Sequence, residues 1–370
     1  MTNFFVYVGT YTSEGGKGIH IYQMDPESGM LEELGRVTGV VNPSFLAIDS
    51  EQRHLYAVNE VSSFGGEKVG AVSSFSIDEK SGKLTFLNNR SSKGAGPCYL
   101  SLDETNRYIF VTNYDGGSVC VLPINGDGSL GEPVDFVRHE GSSINPLRQE
   151  GPHPHSVITG PGNMHVYVAD LGLDKVMIYK FSLVDGKLSP ADQPYVRVKA
   201  GAGPRHFVFH PNGKFAYLIN ELDSTIVAYA YNEKNGSLEE IQTVSTLPIG
   251  FRGVNYAADL HLTPSGTFLY GSNRGHDSLA IYRVDGETGR LSYVGHENTG
   301  GRTPRNFAID PSGRFLLVAN QRSNNVVVFQ INLETGLLKP TGYEAHVPSP
   351  ACIKIVSHHN DLQSSFQFSL

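Results

Sequence analysis

The sequence contains no tryptophan, only three cysteines, and no stretch that approaches the roughly eighteen apolar residues of a membrane-spanning helix. The cysteines, Cys98, Cys120 and Cys352, are odd in number and widely spaced, which is typical of neither a disulfide framework nor a zinc site. The first residues also lack the basic and apolar regions of a signal peptide. We therefore expect a cytoplasmic protein whose thiols are reduced and buried.

Positive charge is scarce as well, since 29 Lys and Arg stand against 37 Asp and Glu for a net charge of −8. Nucleic acids and anionic membranes both bind broad basic faces, so we expect neither as a partner. The sequence has no GxGxxG between a strand and a helix, no GxSxG, and no sustained helical periodicity, which excludes nucleotide-binding α/β folds and serine hydrolases with a nucleophile elbow. A small anionic ligand in a locally basic pocket stays compatible with this composition.

What the sequence does have is glycine, proline and an internal repeat, with 41 Gly and 20 Pro in 370 residues. A phrase recurs at intervals of roughly fifty residues: a proline, an alternating apolar strand, a turn, an aromatic-rich strand ending near asparagine, and a third strand. The clearest copy runs from Gly203 to Val244. The seven copies begin at Asn42, Gly96, His153, Gly203, Asn255, Thr303 and Ser349.

Turn signals divide each copy into four strands. Pro-x-Gly segments such as 211–213, 264–266 and 311–313 predict a hairpin between the first two strands. A later (D/N/E)-x-x-x-G-x-L motif, as in NEKNGSL and DGETGRL, predicts another turn before an outer fourth strand. Four strands in each copy are typical of a propeller blade, and the absence of tryptophan disfavours the WD40 type.

We therefore predict an all-β, seven-bladed β-propeller with four-stranded antiparallel blades. Residues 350–356 supply a first strand and residues 4–37 read as strands two to four, so the N- and C-terminal strands would share one blade and close the ring. The predicted organisation is a single propeller domain over 1–356, followed by a C-terminal tail at 357–370. The sequence does not indicate an oligomeric state.

Function is expected at one rim of this ring. Strands one and two of a blade are antiparallel, so the start of the first and the end of the second meet at the same rim. The repeat itself needs only turn formers and small polar residues there, so charged residues at these positions indicate a site. They concentrate in the third to sixth blades, and the predicted wall of the mouth consists of His153, His155, Arg205, His206, Glu221, Asp259, Arg274, His276 and Arg305.

A mostly cationic wall on an acidic protein favours a carboxylate or phosphate ligand, although salt bridges to Glu221 or Asp259 are the structural alternative for each arginine. Glu221 is a candidate general acid or base, but a neighbouring arginine would hold its pKa low and favour charge pairing. His153 and His155 lie two apart at a strand start, where alternation predicts the same face. Without a third ligand the pair is a weak metal signal, so a proton relay or a structural role is the other interpretation.

The segment 137–152 departs from the repeat just before His153 and carries Arg138, Arg148 and Glu150. It either covers the mouth or forms a solvated connector, and a connector is the commoner outcome for such a segment. Cys98 has only His155 as a conceivable activator, so a cysteine nucleophile is poorly supported.

At these residues the chain resembles the seven-bladed propeller lactonase family, which contains bacterial 6-phosphogluconolactonases and fungal 3-carboxy-cis,cis-muconate lactonising enzymes. The similarity covers essentially the whole length. The segments that carry it are GAGPRHFVFHPN from Gly201, AYLINELDSTI from Ala216, AADLHLTPSGTFLYGSNRGHDS from Ala257 and TPRNFAIDPSGRFLLVANQ from Thr303.

The resemblance implies a catalytic cluster of His155, Arg205, Glu221 and Arg274, with no metal, and we expect no cofactor. The bacterial branch looks closer, which implies hydrolysis of 6-phosphoglucono-δ-lactone to 6-phosphogluconate. His155 or Glu221 would then activate water, Arg205 or Arg274 would stabilise the oxyanion, and the remaining cations would bind the phosphate.

Two alternatives stay open at this point. A 3-carboxy-cis,cis-muconate cycloisomerase would use the same anion-binding residues and a positioned acid. A non-catalytic propeller could instead bind a sugar or a protein through aromatic residues near the mouth, which are Tyr11, Phe64, Tyr99 and Tyr114.

Overall fold

The predicted seven-bladed propeller is confirmed by a computed structural model that describes residues 2–359. Seven sheets of four antiparallel strands form the molecule, and the only helical element in this range is the 3-10 turn Thr12–Glu14. No helix within the described range is long and apolar enough to cross a membrane.

Six blades follow one another along the chain. Blade 1 consists of β4 (Leu46–Ile48), β5 (His54–Asn59), β6 (Ala71–Ile77) and β7 (Leu84–Ser91). Blade 2 consists of β8 (Pro97–Leu102), β9 (Tyr108–Asn113), β10 (Ser118–Pro123) and β11 (Asp135–Arg138). Blade 3 consists of β12 (Pro154–Thr159), β13 (His165–Asp170), β14 (Lys175–Ser182) and β15 (Lys187–Arg197). Blade 4 consists of β16 (Pro204–Phe209), β17 (Phe215–Asn220), β18 (Thr225–Asn232) and β19 (Ser237–Ser245). Blade 5 consists of β20 (Tyr256–Leu262), β21 (Phe268–Arg274), β22 (Ser278–Val284) and β23 (Leu291–Asn298). Blade 6 consists of β24 (Pro304–Ile309), β25 (Phe315–Asn320), β26 (Asn325–Ile331) and β27 (Leu338–His346).

Blade 7 joins the two ends of the chain, as the sequence predicts. Its strands, from the centre outward, are β28 (Pro350–His359), β1 (Thr2–Thr10), β2 (Ile19–Met24) and β3 (Leu31–Val37). The last strand runs three residues past the predicted domain boundary at 356, and the rest of the predicted tail, 360–370, lies outside the described residues.

The first strand of each blade lies innermost, and each contacts the first strands of the two neighbouring blades. The apolar clusters lie between blades; one of them joins Phe207 and Leu218 of blade 4 to Tyr167 and Ile178 of blade 3. Because every blade buries both faces in this way, its inner strands are almost continuously apolar. The second strand of blade 4, for example, is buried along its whole length from Phe215 to Asn220.

An aromatic side chain on the second strand of most blades contacts the turn before the fourth strand of the next blade. Tyrosine hydroxyls donate to glycine carbonyls there: Tyr7 to Gly82 at 2.9 Å, Tyr167 to Gly236 at 2.6 Å, Tyr217 to Gly289 at 3.0 Å and Tyr270 to Gly336 at 2.8 Å. These glycines belong to the G-x-L motif. Gly289 has a φ of 70°, and a Cβ there would lie 2.4 Å from the Phe215 ring, so the motif is explained by backbone conformation and close packing together.

Replacing Tyr217 by Phe removes the hydroxyl that donates to the Gly289 carbonyl and should lower the free energy of unfolding by about 1–2 kcal/mol, the cost of leaving a buried acceptor unpaired. Chemical denaturation measures this as a lower midpoint. Tyr343→Phe is the control because that side chain is 39% exposed and its hydroxyl makes no hydrogen bond within the described residues. Equal midpoints for the two variants would contradict the proposed contribution.

Candidate active site

A β-bulge near the start of the innermost strand recurs in six of the seven blades. In blade 3, for example, Pro154 pairs with Asp170 and Ser156 with Ala169, so the residue between them is extra in the ladder. A bulge releases one residue from strict alternation and redirects its side chain. In blades 2, 3, 4 and 6 the bulge directly follows the proline, and the extra residues there are Cys98, His155, Arg205 and Arg305.

These bulges surround a cavity of about 310 Å³ at the mouth of the ring. Three of its lining residues, Cys98, His155 and Arg305, are bulge residues. Four more, Glu60, Tyr114, Glu221 and Arg274, stand at or just after the end of a second strand, and the last, Arg148, comes from the segment between β11 and β12. The rim positions identified from the repeat therefore do converge.

Glu221 lies at the centre of an ion cluster. Its Oε1 accepts a hydrogen bond from Nη2 of Arg148 at 2.6 Å, and its Oε2 lies 3.0 Å from Nε of Arg205 and 2.8 Å from Nη2 of Arg274. Burial alone would raise the pKa of Glu221, but the positive charges of Arg274, Arg205 and Arg148 outweigh it and hold the pKa well below the usual carboxyl value. Glu221 is thus an anion whose charge orients three guanidinium groups.

The second carboxylate of the cavity belongs to Glu60 and is bonded to hydroxyl groups. Its Oε2 accepts from the hydroxyls of Tyr11, at 2.7 Å, and of Ser44. Arg305 donates from Nη2 to the same Tyr11 hydroxyl at 2.6 Å, and its guanidinium carbon lies 5.1 Å from the centre of the Tyr11 ring. Tyr11 is therefore buried as a bridge between Glu60 and Arg305, which corrects the expectation that it is an exposed platform for a sugar or protein.

His155 is the one histidine that lines the cavity, and it makes no ion pair within residues 2–359. Burial, with the nearby Arg205, lowers its pKa well below the usual histidine value. Its Nδ1 lies 3.9 Å from the sulfur of Cys98. Burial also raises the pKa of Cys98 to about 12, so the thiol stays protonated and inert as a nucleophile.

Three predicted residues lie behind the cavity wall. Arg205 is buried and donates to Glu221 and to the carbonyl of Ala258; burial and the neighbouring Arg274 lower its pKa to about 10, so it remains a cation. His206 has Nδ1 2.6 Å from Asp259, while burial and Arg205 lower its pKa to about 3. Asp259 also accepts from Asn306. Because their polar atoms are engaged with protein groups, these residues position the wall and do not face the cavity.

His153 and His276 do not line the cavity either. The expectation that His153 shares a face with His155 is wrong, because the bulge at His155 interrupts the alternation on which it depended. The ring of His153 instead stacks on Tyr114 and lies 3.0 Å from Glu150. His276 has Nδ1 2.6 Å from the Ser278 hydroxyl and packs against Phe251, so it faces a loop outside the cavity.

A layer of rings lies below the site, where Phe45 stacks on Tyr99 at 4.0 Å and His206 meets both rings edge-on. On the far side, a second cavity of about 480 Å³ is lined mainly by the inner strands of blades 7, 1 and 2. The two cavities have no lining residue in common.

The predicted wall does not include four of the cavity residues, which are Glu60, Cys98, Tyr114 and Arg148. Glu60 and Tyr114 directly follow the second strand of their blades, as Glu221 does. Including the residue at this position in every blade would therefore have identified them. Arg148 lies outside the repeat, where no positional rule applies. The segment 137–152 therefore reaches the mouth and is not a solvated connector. Among residues 2–359, no group of three or more His, Cys, Asp or Glu side chains is placed to hold a metal ion.

An all-β ring with a charged cavity at one rim defines a propeller with a small-ligand site, and comparisons with known proteins give its family. A profile described as "Lactonase, 7-bladed beta-propeller" matches residues 5–355. The chain therefore belongs to the seven-bladed β-propeller lactonase family, which confirms the resemblance seen in the sequence.

Individual relatives agree with this assignment. A 6-phosphogluconolactonase of Bacillus subtilis is 38% identical over 310 residues, which cover 84% of this chain and 86% of that protein. A 6-phosphogluconolactonase of Formosa agariphila is 35% identical over 82% of this chain and 86% of its own length. Among solved structures, a periplasmic gluconolactonase of Pseudomonas aeruginosa has a TM-score of 0.91 and 37% identity, covering 96% of this chain and 100% of that one.

Replacing Glu221 by Gln should destabilise the protein by about 3 kcal/mol at pH 7, because buried guanidinium groups lose their counterion. The pKa of Glu221 is depressed in the folded state, so its contribution is present above the unfolded carboxyl pKa of about 4.3 and is lost as the pH falls toward the folded value. Denaturation at pH 7, 5 and 3.5 should therefore show the difference between wild type and variant narrowing below about pH 4.3.

The matched control for this measurement is Glu132→Gln, whose carboxylate is 77% exposed and pairs with Arg90 on the surface. Its effect should stay below about 1 kcal/mol at every pH. A difference between Glu221→Gln and wild type that is constant from pH 7 to 3.5 would contradict a depressed pKa.

Proposed function

We propose that this protein hydrolyses 6-phosphoglucono-δ-lactone to 6-phosphogluconate. The observation that carries the proposal is the composition of the cavity wall, in which three arginines, two carboxylates and one uncharged histidine surround about 310 Å³. That volume lies at the small end of the range for ligand sites, about 300–1,000 Å³, and suits a single sugar. The names of the relatives in Bacillus subtilis and Formosa agariphila support the same substrate.

The charges of the cluster favour an anionic ligand. Arg148, Arg274 and Arg305 line the cavity, whereas Glu60 and Glu221 are its lining carboxylates, so the lining carries one positive charge in excess. Behind the lining, Arg205 and Asp259 have opposite charges and leave this excess unchanged. A phosphate monoester carries about −1.5 to −2 at neutral pH, so a phosphorylated sugar would be attracted to this wall.

His155 is the proposed general base. It lines the cavity, is uncharged at neutral pH, and makes no ion pair, whereas Glu221 is bound by three cations. A bound dianion would offset the positive field of Arg205 and Arg305 and so raise the basicity of the imidazole in the complex. General-base assistance of this kind contributes about 10²- to 10⁴-fold to a rate.

Arg274 is the proposed electrostatic partner for the oxyanion. Its Nη2 is oriented by Glu221 and by the carbonyl of Ala257, and its Nε by the carbonyl of Tyr256, so the guanidinium is fixed before substrate binds. Pre-oriented donors stabilise developing negative charge without reorganisation. Arg205 acts through Glu221 and is a positioning residue.

The reaction then balances as follows. A water oxygen forms a bond to the lactone carbonyl carbon while His155 takes the water proton. The carbonyl oxygen bears the negative charge beside Arg274. The intermediate collapses by breaking the bond between the carbonyl carbon and the ring oxygen, and that oxygen receives the proton from His155, which leaves the open-chain acid and a neutral imidazole.

The other classes of function have less support. The relatives in Bacillus subtilis, Formosa agariphila and Pseudomonas aeruginosa bear the names of lactone-hydrolysing enzymes, which favours hydrolysis over cycloisomerisation. Burial of Tyr11 weakens the case for a non-catalytic aromatic binding face. A cytoplasmic location stays a prediction, since a periplasmic protein has the same fold.

The decisive test is the hydrolysis of freshly generated 6-phosphoglucono-δ-lactone, corrected for spontaneous opening. We expect wild-type turnover that a chelator does not change, and a loss of about 100-fold or more in kcat/KM for both His155→Asn and Arg274→Met. His153→Asn is the matched control, because this histidine lies two residues away but outside the cavity. Wild-type rates equal to background, or equal losses for the two histidine variants, would overturn the assignment.

Titration of the free enzyme tests the state of His155, because the substrate phosphate itself titrates near pH 6 and would shape the pH profile of kcat/KM. The pKa of His155 is lowered well below 6.5, so the NMR ring-proton signal that is lost in His155→Asn should not shift between pH 6 and 8. A shift of that signal centred near the ordinary histidine pKa of about 6.5 would show that His155 titrates as an exposed histidine does and is not the buried base.

A further inference from the structure

Arg148 belongs to a segment that the repeat does not require. The chain between β11, which ends at Arg138, and β12, which begins at Pro154, leaves the outer edge of blade 2 and returns to the mouth. It places a guanidinium in the cavity at a point that neither inner strands nor second-strand ends supply. Substituting this side chain would therefore leave the propeller scaffold untouched.

The segment is held firmly against blade 3. His139 has Nδ1 2.6 Å from Asp170 and Nε2 2.9 Å from the Tyr179 hydroxyl, and all three side chains are buried. Gln149, next to Arg148, is fully buried and donates to the carbonyl of Leu171 at 2.8 Å. Arg148 is thus presented from a fixed backbone, although it lies in a long loop.

Arg148 is the most exposed of the three cations on Glu221. Its side chain is 32% exposed, against 14% for Arg274 and 2% for Arg205. Within the described residues, its side-chain hydrogen bonds are made by Nη2 alone, to Glu221 and to the Tyr114 hydroxyl, so Nε and Nη1 have no protein partner. The guanidinium also lies over the ring of Tyr256 at 5.5 Å, which keeps its plane at the mouth.

The position of this guanidinium suits the distance between the two reactive ends of the substrate. In 6-phosphoglucono-δ-lactone, the phosphate is on the exocyclic C6, and its phosphorus is five bonds from the C1 carbonyl carbon by way of the ring oxygen and C5. Arg148 and Arg274 bind the two oxygens of one carboxylate, so a lactone whose carbonyl lies beside Arg274 would have its phosphate within reach of Arg148. Guanidinium groups bind phosphate through two parallel N–H bonds, which here requires Nη2 of Arg148 to leave Glu221 and act together with Nε or Nη1.

We propose, on the basis of the lactonase function above, that Arg148 selects phosphorylated over unphosphorylated lactones by binding the phosphate with its guanidinium. Arg205 and Arg274 remain on Glu221 when Arg148 engages the ligand, so the carboxylate keeps two of its three partners. The repeat thus supplies the lactone-binding cluster, and the segment 137–152 supplies the selectivity for the phosphate.

Binding of reaction products separates recognition from catalysis. Titration calorimetry with 6-phosphogluconate and with gluconate should show that Arg148→Gln weakens the first by about 30-fold, since charge-assisted bonds to a phosphate are lost. Gluconate has no phosphate, so its Kd should change by less than about threefold, and the ratio of the two dissociation constants is the readout. Arg148→Lys keeps the positive charge but loses the two parallel N–H donors of the guanidinium. Its ratio of dissociation constants should therefore lie between the ratios of wild type and Arg148→Gln.

Arg138→Gln is the control, because it removes the same charge from an exposed position on β11 outside the cavity and should leave both dissociation constants unchanged. Equal weakening of both ligands by Arg148→Gln, or no weakening of either, would overturn the proposal. Should the glutamine variant fail to fold, a ratio for Arg148→Lys equal to that of wild type would overturn it as well.

The same proteins assayed with both lactones distinguish this inference from the proposed function. If wild type hydrolyses neither lactone but Arg148→Gln still weakens the binding of 6-phosphogluconate selectively, the proposed function is wrong and the proposed role of Arg148 is supported. If wild type hydrolyses the phosphorylated lactone but Arg148→Gln lowers kcat/KM equally for both lactones, the proposed function is supported and the proposed role of Arg148 is wrong.

Discussion

The site depends on one local irregularity of the β-ladder, the bulge that follows the proline at the start of an inner strand. A regular strand would direct alternate side chains into the neighbouring blades, where only apolar groups can be accommodated. The extra residue escapes this alternation, so a cysteine, a histidine and an arginine can stand at the centre of a ring whose strands are otherwise apolar. The same backbone feature therefore permits different side chains in different blades, and what the inner strands contribute to the site is determined by which residue follows the proline.

The charges gathered at the mouth are mutually dependent. Glu221 alone would be costly to bury, and so would Arg205 beside Arg274, but together they form a cluster in which the anion bonds three cations. Burial, together with the positive charge of Arg205, lowers the pKa of His155 and of His206, which keeps both imidazoles neutral. A substrate anion would complete this electrostatic balance, so ligand binding and the protonation of the site are linked.

Much of this arrangement could be predicted from the sequence because it follows from periodicity. The copies of the repeat gave the blades, the closure of the ring and the rim to which Glu221, Arg274 and Arg305 belong. Alternation, however, placed His153 beside His155, and it failed there because a bulge leaves no mark in the hydrophobic pattern. How deeply each side chain is buried could not be predicted either. Arg205, His206 and Asp259 belong to the same rim, but bonds to neighbouring blades hold their side chains behind the cavity wall. Arg148 lies outside the repeat, so only the three-dimensional path of its loop brings it to the cavity.

The layer formed by Phe45, Tyr99 and His206 has a consequence for traffic through the ring. A propeller has a hole along its axis, and here that hole is interrupted by packed rings between two cavities with separate walls. The site is thus a cup and not a tunnel. A ligand that enters by the mouth also leaves by the mouth, so the product has to dissociate before the next substrate molecule can bind.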